Sequence, residues 1–130
     1  MLLGNTIKKI FVTGGSGFIG SHVVDWLLNE GYHVTVYDNF SNGREEFINP
    51  HIGKENFVLY KSDLLDLESL TAAVKGHDLV WHLAANTDII GGAENPQRDL
   101  DDCIIGTFNI LQAMREAELK KILFSSTGAV

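Results

Sequence analysis

At 130 residues, 45% hydrophobic and 21% charged, the chain is sized and composed as one globular domain able to bury a core. A net charge of -7, from 17 acids and 10 bases with no basic block, argues against a nucleic-acid or anionic-membrane surface, which clustered Lys and Arg would bind. No apolar run approaches the ~20 residues that span a bilayer, the start Met1–Thr6 has no leader pattern, and the lone Cys103 fits a reducing compartment, so a cytoplasmic location is expected.

The first strand is predicted over Lys8–Thr13 and runs into Thr13-Gly14-Gly15-Ser16-Gly17-Phe18-Ile19-Gly20, which opens a helix over Gly17–Glu30. A strand, a glycine-rich turn and a helix in that order form a phosphate cradle. The glycines let the backbone approach a pyrophosphate, and the first N–H groups of the helix point at the anion. Two spacings fit: Gly15-x-Gly17-x-x-Gly20, the general dinucleotide fingerprint, and Gly14-x-x-Gly17-x-x-Gly20, a variant with a wider first gap. Within the helix, Ile19, Val23, Trp26 and Leu27 recur at i, i+4, i+7 and i+8 and are expected to form its buried stripe. Gly31 then suits the left-handed stop.

The second strand, His33–Tyr37, ends in Asp38, which lies 18 residues after Gly20 (38 − 20). That is near the ~20-residue spacing of a carboxylate that holds the adenosine ribose hydroxyls. A carboxylate there accepts two hydroxyl hydrogen bonds and repels a 2′-phosphate, so NAD is favoured over NADP. Arg44 is the counter-signal, because an arginine close behind the strand can pair with a 2′-phosphate. The plainer reading of Asp38 is a turn residue ahead of Asn39 and the polar Ser41-Asn42-Gly43.

A third strand, Phe57–Lys61, leads through Asp63 to a helix at Leu67–Lys75, for which Asp66 is the better-placed N-cap. The fourth strand is Leu79–Leu83, whose His82 reads as a core histidine rather than a catalyst. Thr87–Gly92 reads as a substrate-side loop, and both prolines, Pro50 and Pro96, fall in loops. A long helix, Gln97–Glu118, with Ile104, Phe108, Leu111 and Met114 on one face precedes the fifth strand, Lys121–Ser125.

Alternating β and α units joined by short loops predict an α/β fold: a Rossmann-type doubly wound parallel sheet with right-handed crossovers, in the order 3-2-1-4-5. Ligands of such sheets bind beyond the carboxyl ends of the strands. Gly14, Asp38, Asp63, Ala84 and Ser125 all fall at such ends, and their convergence is the strongest sign of a functional site. No metal site is expected.

With these residues assembled, the chain resembles the extended short-chain dehydrogenase/reductase family, specifically its NAD-dependent nucleotide-sugar epimerases and dehydratases. UDP-glucose 4-epimerases are the nearest type. The resemblance rests on the glycine motif at 13–20, Asp38-Asn39-Phe40-Ser41-Asn42-Gly43-Arg44, Asp63-Leu64, His82-Leu83-Ala84-Ala85, Gly106-Thr107-Phe108-Asn109 and Phe124-Ser125-Ser126-Thr127-Gly128-Ala129-Val130. It implies that Gly14, Gly17, Phe18, Ile19 and Gly20 hold the pyrophosphate of NAD. Asp38, Asn39, Ser41, Asn42 and Gly43 would line the adenosine ribose and its phosphate, and Asp63 and Leu64 the adenine. Leu83, Ala84 and Ala85 would pass beneath the nicotinamide half, with Ser125 near the nicotinamide. Thr127 would hydrogen-bond the sugar and the catalytic tyrosine.

In the reaction the resemblance implies, a tyrosinate takes the sugar 4-hydroxyl proton as hydride leaves C4. A lysine four residues after that tyrosine depresses its pKa. That pair is absent here: Tyr32, Tyr37 and Tyr60 are followed four residues later by Val36, Ser41 and Leu64. The resemblance therefore implies an amino-terminal cofactor-binding part over 1–130, inactive alone, whose fifth strand has an unprotected edge. It also implies a nucleotide-sugar substrate for the parent enzyme and a homodimer through the 97–118 helix. Cys103 stands where relatives commonly carry Asn, which leaves any substrate contact from that helix open. Two alternatives stay open: a non-catalytic NAD-binding module, and a reductase of the same superfamily acting on a non-sugar carbonyl.

Overall fold

The structure, a computed structural model, describes residues 3–126. Five strands form one parallel sheet in the order β3-β2-β1-β4-β5: β1 (Lys9–Thr13), β2 (His33–Asp38), β3 (Phe57–Lys61), β4 (Leu79–His82) and β5 (Ile122–Phe124). The fold class and strand order are those read from the sequence, and no strand end differs by more than one residue. Between the strands lie α1 (Phe18–Asn29), α2 (Glu45–Ile48), α3 (Leu67–Val74), α4 (Ile89–Glu94), α5 (Pro96–Asp99) and α6 (Gly106–Glu116). None of the helices among the described residues is long and apolar enough to cross a membrane.

Successive strand residues face opposite sides, so a sheet covered on both faces needs apolar residues at every position. Ile10, Val12, Val34 and Val36 point to one layer, where they pack with Val24, Leu27 and Leu28 of α1. Phe11, Tyr37 and Val80 point to the other, against Leu70, Ala73 and Val74 of α3 and Ile110, Ala113 and Met114 of α6. Asp78 fixes the register of β4 beside β1 by accepting from the Lys8 and Lys9 amides, each at 2.8 Å. Gly31 closes α1 at φ +85°, as expected.

Two helical faces differ from expectation. The buried face of α1 is Gly20, Ser21, Val24, Leu27 and Leu28, whereas Ile19 is 65% exposed. The cause is Gly20, which packs directly on the Gly14 backbone, so closely that any Cβ there would overlap the Gly14 carbonyl oxygen. Turning that residue to the sheet turns its neighbour Ile19 outward. The last helix is α5 and α6 joined through a wide π turn, Leu100–Ile105, and it ends at Glu116 rather than Glu118. That turn rephases the helix. Gly106, Asn109, Ile110, Ala113 and Met114 face inward, while Ile104, Phe108 and Leu111 are 62%, 56% and 48% exposed.

The segment read as a loop at Thr87–Gly92 instead starts a helix, α4. Asp88 caps it by accepting from the Gly91 amide at 2.9 Å. Neither proline sits in an open loop: Pro50 lies in the 3-10 turn Asn49–His51, and Pro96 is the first residue of α5, where its missing N–H costs nothing.

Candidate cofactor-binding site

A cavity of about 420 Å³ opens along the carboxyl edge of the sheet, within the size range of small-molecule sites. The turn after β1 supplies its floor with Gly14, Gly17, Phe18, Ile19 and Gly20. Gly14 has φ +70°, and a Cβ on it would stand 2.7 Å from the Ala84 amide nitrogen. Gly15 instead faces the core, where a Cβ would meet Val36 at 2.6 Å. Of the two glycine spacings, Gly14-x-x-Gly17-x-x-Gly20 is the one that lines the cavity. Gly17 caps α1 without any side-chain hydrogen bond, so the free amides of the first turn face the cavity unmasked. Such a cradle suits a phosphate.

The end of β2 supplies Asp38, which is 9% exposed. Its Oδ2 accepts from the Ser16 amide at 2.9 Å and its Oδ1 from the Phe40 amide at 2.8 Å, so the carboxylate is held rigidly at the rim. Each oxygen keeps a lone pair for a hydroxyl donor. Asn39, Ser41, Asn42 and Gly43 continue the same wall. Asn39 donates to Asp63 Oδ2 at 2.9 Å and accepts from the Ser41 amide at 2.9 Å, tying the β2 and β3 ends together. Asp63 Oδ1 accepts from the Leu65 amide at 2.9 Å, and Asp66 is the residue that caps α3, through the Ser69 amide. Asp63, Leu64, Leu83, Ala84, Ala85 and Ser125 all line the cavity. Thr127 lies outside the described residues.

Residues fit for a dinucleotide are therefore gathered in one place: a glycine cradle at a helix start, and two carboxylates spaced along the wall. Ser16 Oγ adds a buried hydroxyl with no hydrogen-bond partner among the described residues, packed against Gly43. Thr87, from the segment read as a substrate-side loop, also lines the cavity, as do Tyr37, Ser62, Asp101 and Asp102, which were not read as site residues from the sequence. Asn109 supports the site from behind, donating to the Leu64 carbonyl at 2.8 Å. Its only sequence signal is its place in Gly106-Thr107-Phe108-Asn109. Asn109→Ala is expected to strand that carbonyl and destabilise the chain by about 1–2 kcal/mol, measurable by urea denaturation.

His82 is a core residue, 2% exposed, as the sequence suggests. Thr13 Oγ1 accepts from the Leu83 and Ala84 amides, each at 3.2 Å, so its own proton goes to His82 Nδ1 at 2.6 Å. His82 Nε2–H then donates to Thr107 Oγ1 at 3.0 Å. This chain of bonds fixes the tautomer and positions the Leu83–Ala84 backbone at the cavity. Burial pushes the imidazole down to about 4, so it is neutral near pH 7.

The sequence matches the NAD dependent epimerase/dehydratase family over residues 10–130. The chain is similar to the UDP-glucose 4-epimerase of Thermotoga maritima, solved with UDP-glucose, at 40% identity and a TM-score of 0.84 over 92% of this chain and 38% of that one. It is also similar to the Thermus thermophilus UDP-glucose 4-epimerase in complex with NAD, at 34% identity and a TM-score of 0.82 over 92% of this chain and 38% of that one. The UDP-N-acetyl-alpha-D-glucosaminuronate decarboxylase of Bacillus cytotoxicus is 37% identical over 95% of this chain and 37% of its own length. The chain thus spans less than two-fifths of the length of these relatives. On the family match, and on the parallel sheet that carries its motifs to one edge, the chain belongs to the NAD dependent epimerase/dehydratase family.

Proposed function

We propose that residues 1–130 belong to the NAD-binding domain of a nucleotide-sugar epimerase or dehydratase of the UDP-glucose 4-epimerase type. The observation that carries this reading is the delivery of the glycine cradle, Asp38 and Asp63 into one cavity by successive strand ends. In it, the free amides of Phe18, Ile19 and Gly20, above the close-packed Gly14 and Gly17, bind the pyrophosphate, and Asp38 orients the adenosine ribose. Asp63 accepts from the adenine amino group. Leu83, Ala84 and Ala85 keep their backbone close beneath the nicotinamide half, with Ser125 beside it. NAD, when bound, supplies a hydride acceptor for the sugar C4. Thr127 is the one residue here assigned to the sugar itself.

Proton removal falls to a tyrosine with a lysine four residues on, and these 130 residues hold no such pair. The 130-residue chain is therefore expected to bind NAD without turnover. Interconversion of UDP-glucose and UDP-galactose by the purified chain above a no-protein control would overturn that expectation. The cofactor assignment has its own test. Asp38→Asn keeps an acceptor for one amide but removes the charge, so NAD binding should weaken about tenfold while NADP loses less or gains. Unchanged discrimination between the two cofactors would contradict the ribose role.

The 62%, 56% and 48% exposure of Ile104, Phe108 and Leu111 supports pairing of two copies through this helix. Sedimentation of the wild-type chain beside Phe108→Glu should show a dimer reduced to monomer. A monomeric wild type would argue against that face.

A further inference from the structure

The charged residues lining the cavity are Asp38, Asp63, Asp101 and Asp102, and none of the described lining residues is Lys or Arg. The ligand proposed above carries two negative phosphates. A helix start such as that of α1 offers only about half an elementary charge. Carboxylates suit ribose hydroxyls and an amino group, but they leave the pyrophosphate without a full positive partner.

Three basic side chains lie near the wall formed by residues 38–44, and two are engaged elsewhere. The Arg44 guanidinium stacks over the Phe47 ring at 5.9 Å. Lys61 pairs with Glu45 at 2.6 Å and lies 4.9 Å from the Phe40 ring centroid. Arg98 differs because both its partners line the cavity. Its Nη2 donates to Asn42 Oδ1 at 3.0 Å, and its Nε lies 3.5 Å from Asp102 Oδ2. Arg98 projects from α5 and so bridges the β4-side helix to the loop after β2.

The geometry points to Arg98 as the cation that engages the cofactor's pyrophosphate at Asn42, an inference that rests on the NAD reading above. The pair with Asp102 is long and partly exposed, hence weak. Guanidinium has five donors, and these two contacts leave donors for a phosphate oxygen without breaking the bond to Asn42. Arg98 thus offsets the surrounding carboxylates and ties the two walls of the cavity together through the ligand.

Calorimetric titration of the chain with NAD, ADP and adenosine, at two salt concentrations, separates these roles. Arg98→Gln should weaken NAD and ADP at least about tenfold, leave adenosine within about twofold and flatten the salt dependence. Arg98→Lys should recover part of the loss. An equal loss for adenosine would mean that Arg98 only holds the loop, and it would overturn the phosphate contact. Unchanged NAD affinity in Arg98→Gln would overturn this inference and leave the NAD reading standing. A folded wild-type chain that binds neither NAD nor ADP would overturn both.

Discussion

Gly20→Ala is expected to abolish NAD binding and to destabilise the chain by roughly 3 kcal/mol, lowering Tm by on the order of 10 °C. The added methyl would overlap the Gly14 carbonyl oxygen and stand 2.8 Å from the Gly15 Cα, and both are backbone atoms that no rotamer change can move aside. Relief would require α1 to lift from the turn after β1. That movement opens the buried contact of Val24 and Leu27 with Val12 and Val36, and it displaces the amides of the cradle. Gly17→Ala is the matched comparison. Its methyl would meet only the Gly14 carbonyl oxygen, at 3.4 Å, which is ordinary contact. Gly17→Ala should keep nearly the wild-type Tm yet weaken NAD, because the methyl occupies ligand space. Paired melting curves and titrations of the two variants distinguish packing from ligand contact. Equal Tm loss in both would contradict the assignment.

The second large effect is on pH dependence. His82 titrates at about 4 in the folded chain against 6.5 for the free side chain, because burial disfavours its charge. Between those values the unfolded chain binds the extra proton and the folded chain does not. Stability from the neutral imidazole is therefore complete above about pH 6.5 and is lost as pH falls through about 4, to a total of roughly 3 kcal/mol. Protonation would also put a proton on Nδ1, which now accepts from Thr13, and so would break the buried hydrogen bond between those two side chains. His77, lowered chiefly by burial as well, adds to the slope with the same sign. Urea denaturation at pH 7 and pH 4.5 should show a much smaller pH difference in His82→Gln than in wild type. Identical differences would remove His82 as the source.

Much of the site was legible because its chemistry is local. At position 14 a φ of +70° combines with a backbone approach that leaves no space for a Cβ, and at position 20 the packing alone excludes one, so both positions call for glycine. Asp38 was legible from its distance along the chain to Gly20, a spacing set by one strand–helix–strand unit. What escaped depends on how distant elements meet. The buried face of α1 could not be phased from apolar residues alone, since a glycine contact with the turn decides it. The π turn at Leu100–Ile105 left no apolar signature, so the offset it introduces between α5 and α6 could not be read from a single 3.6-residue pattern over 97–118. Asn109 and Arg98 act on partners 45 and 56 positions away, separations that no local pattern encodes.

Amide chemical-shift mapping of the 130-residue chain with NAD addresses the central claim most directly. Saturable shifts concentrated at Gly14, Gly17, Gly20, Asp38, Asp63 and Ala84, with the distal ends of the strands unmoved, are the predicted result. A folded chain whose shifts stay unchanged at saturating NAD, or move only away from the carboxyl edge of the sheet, would contradict it.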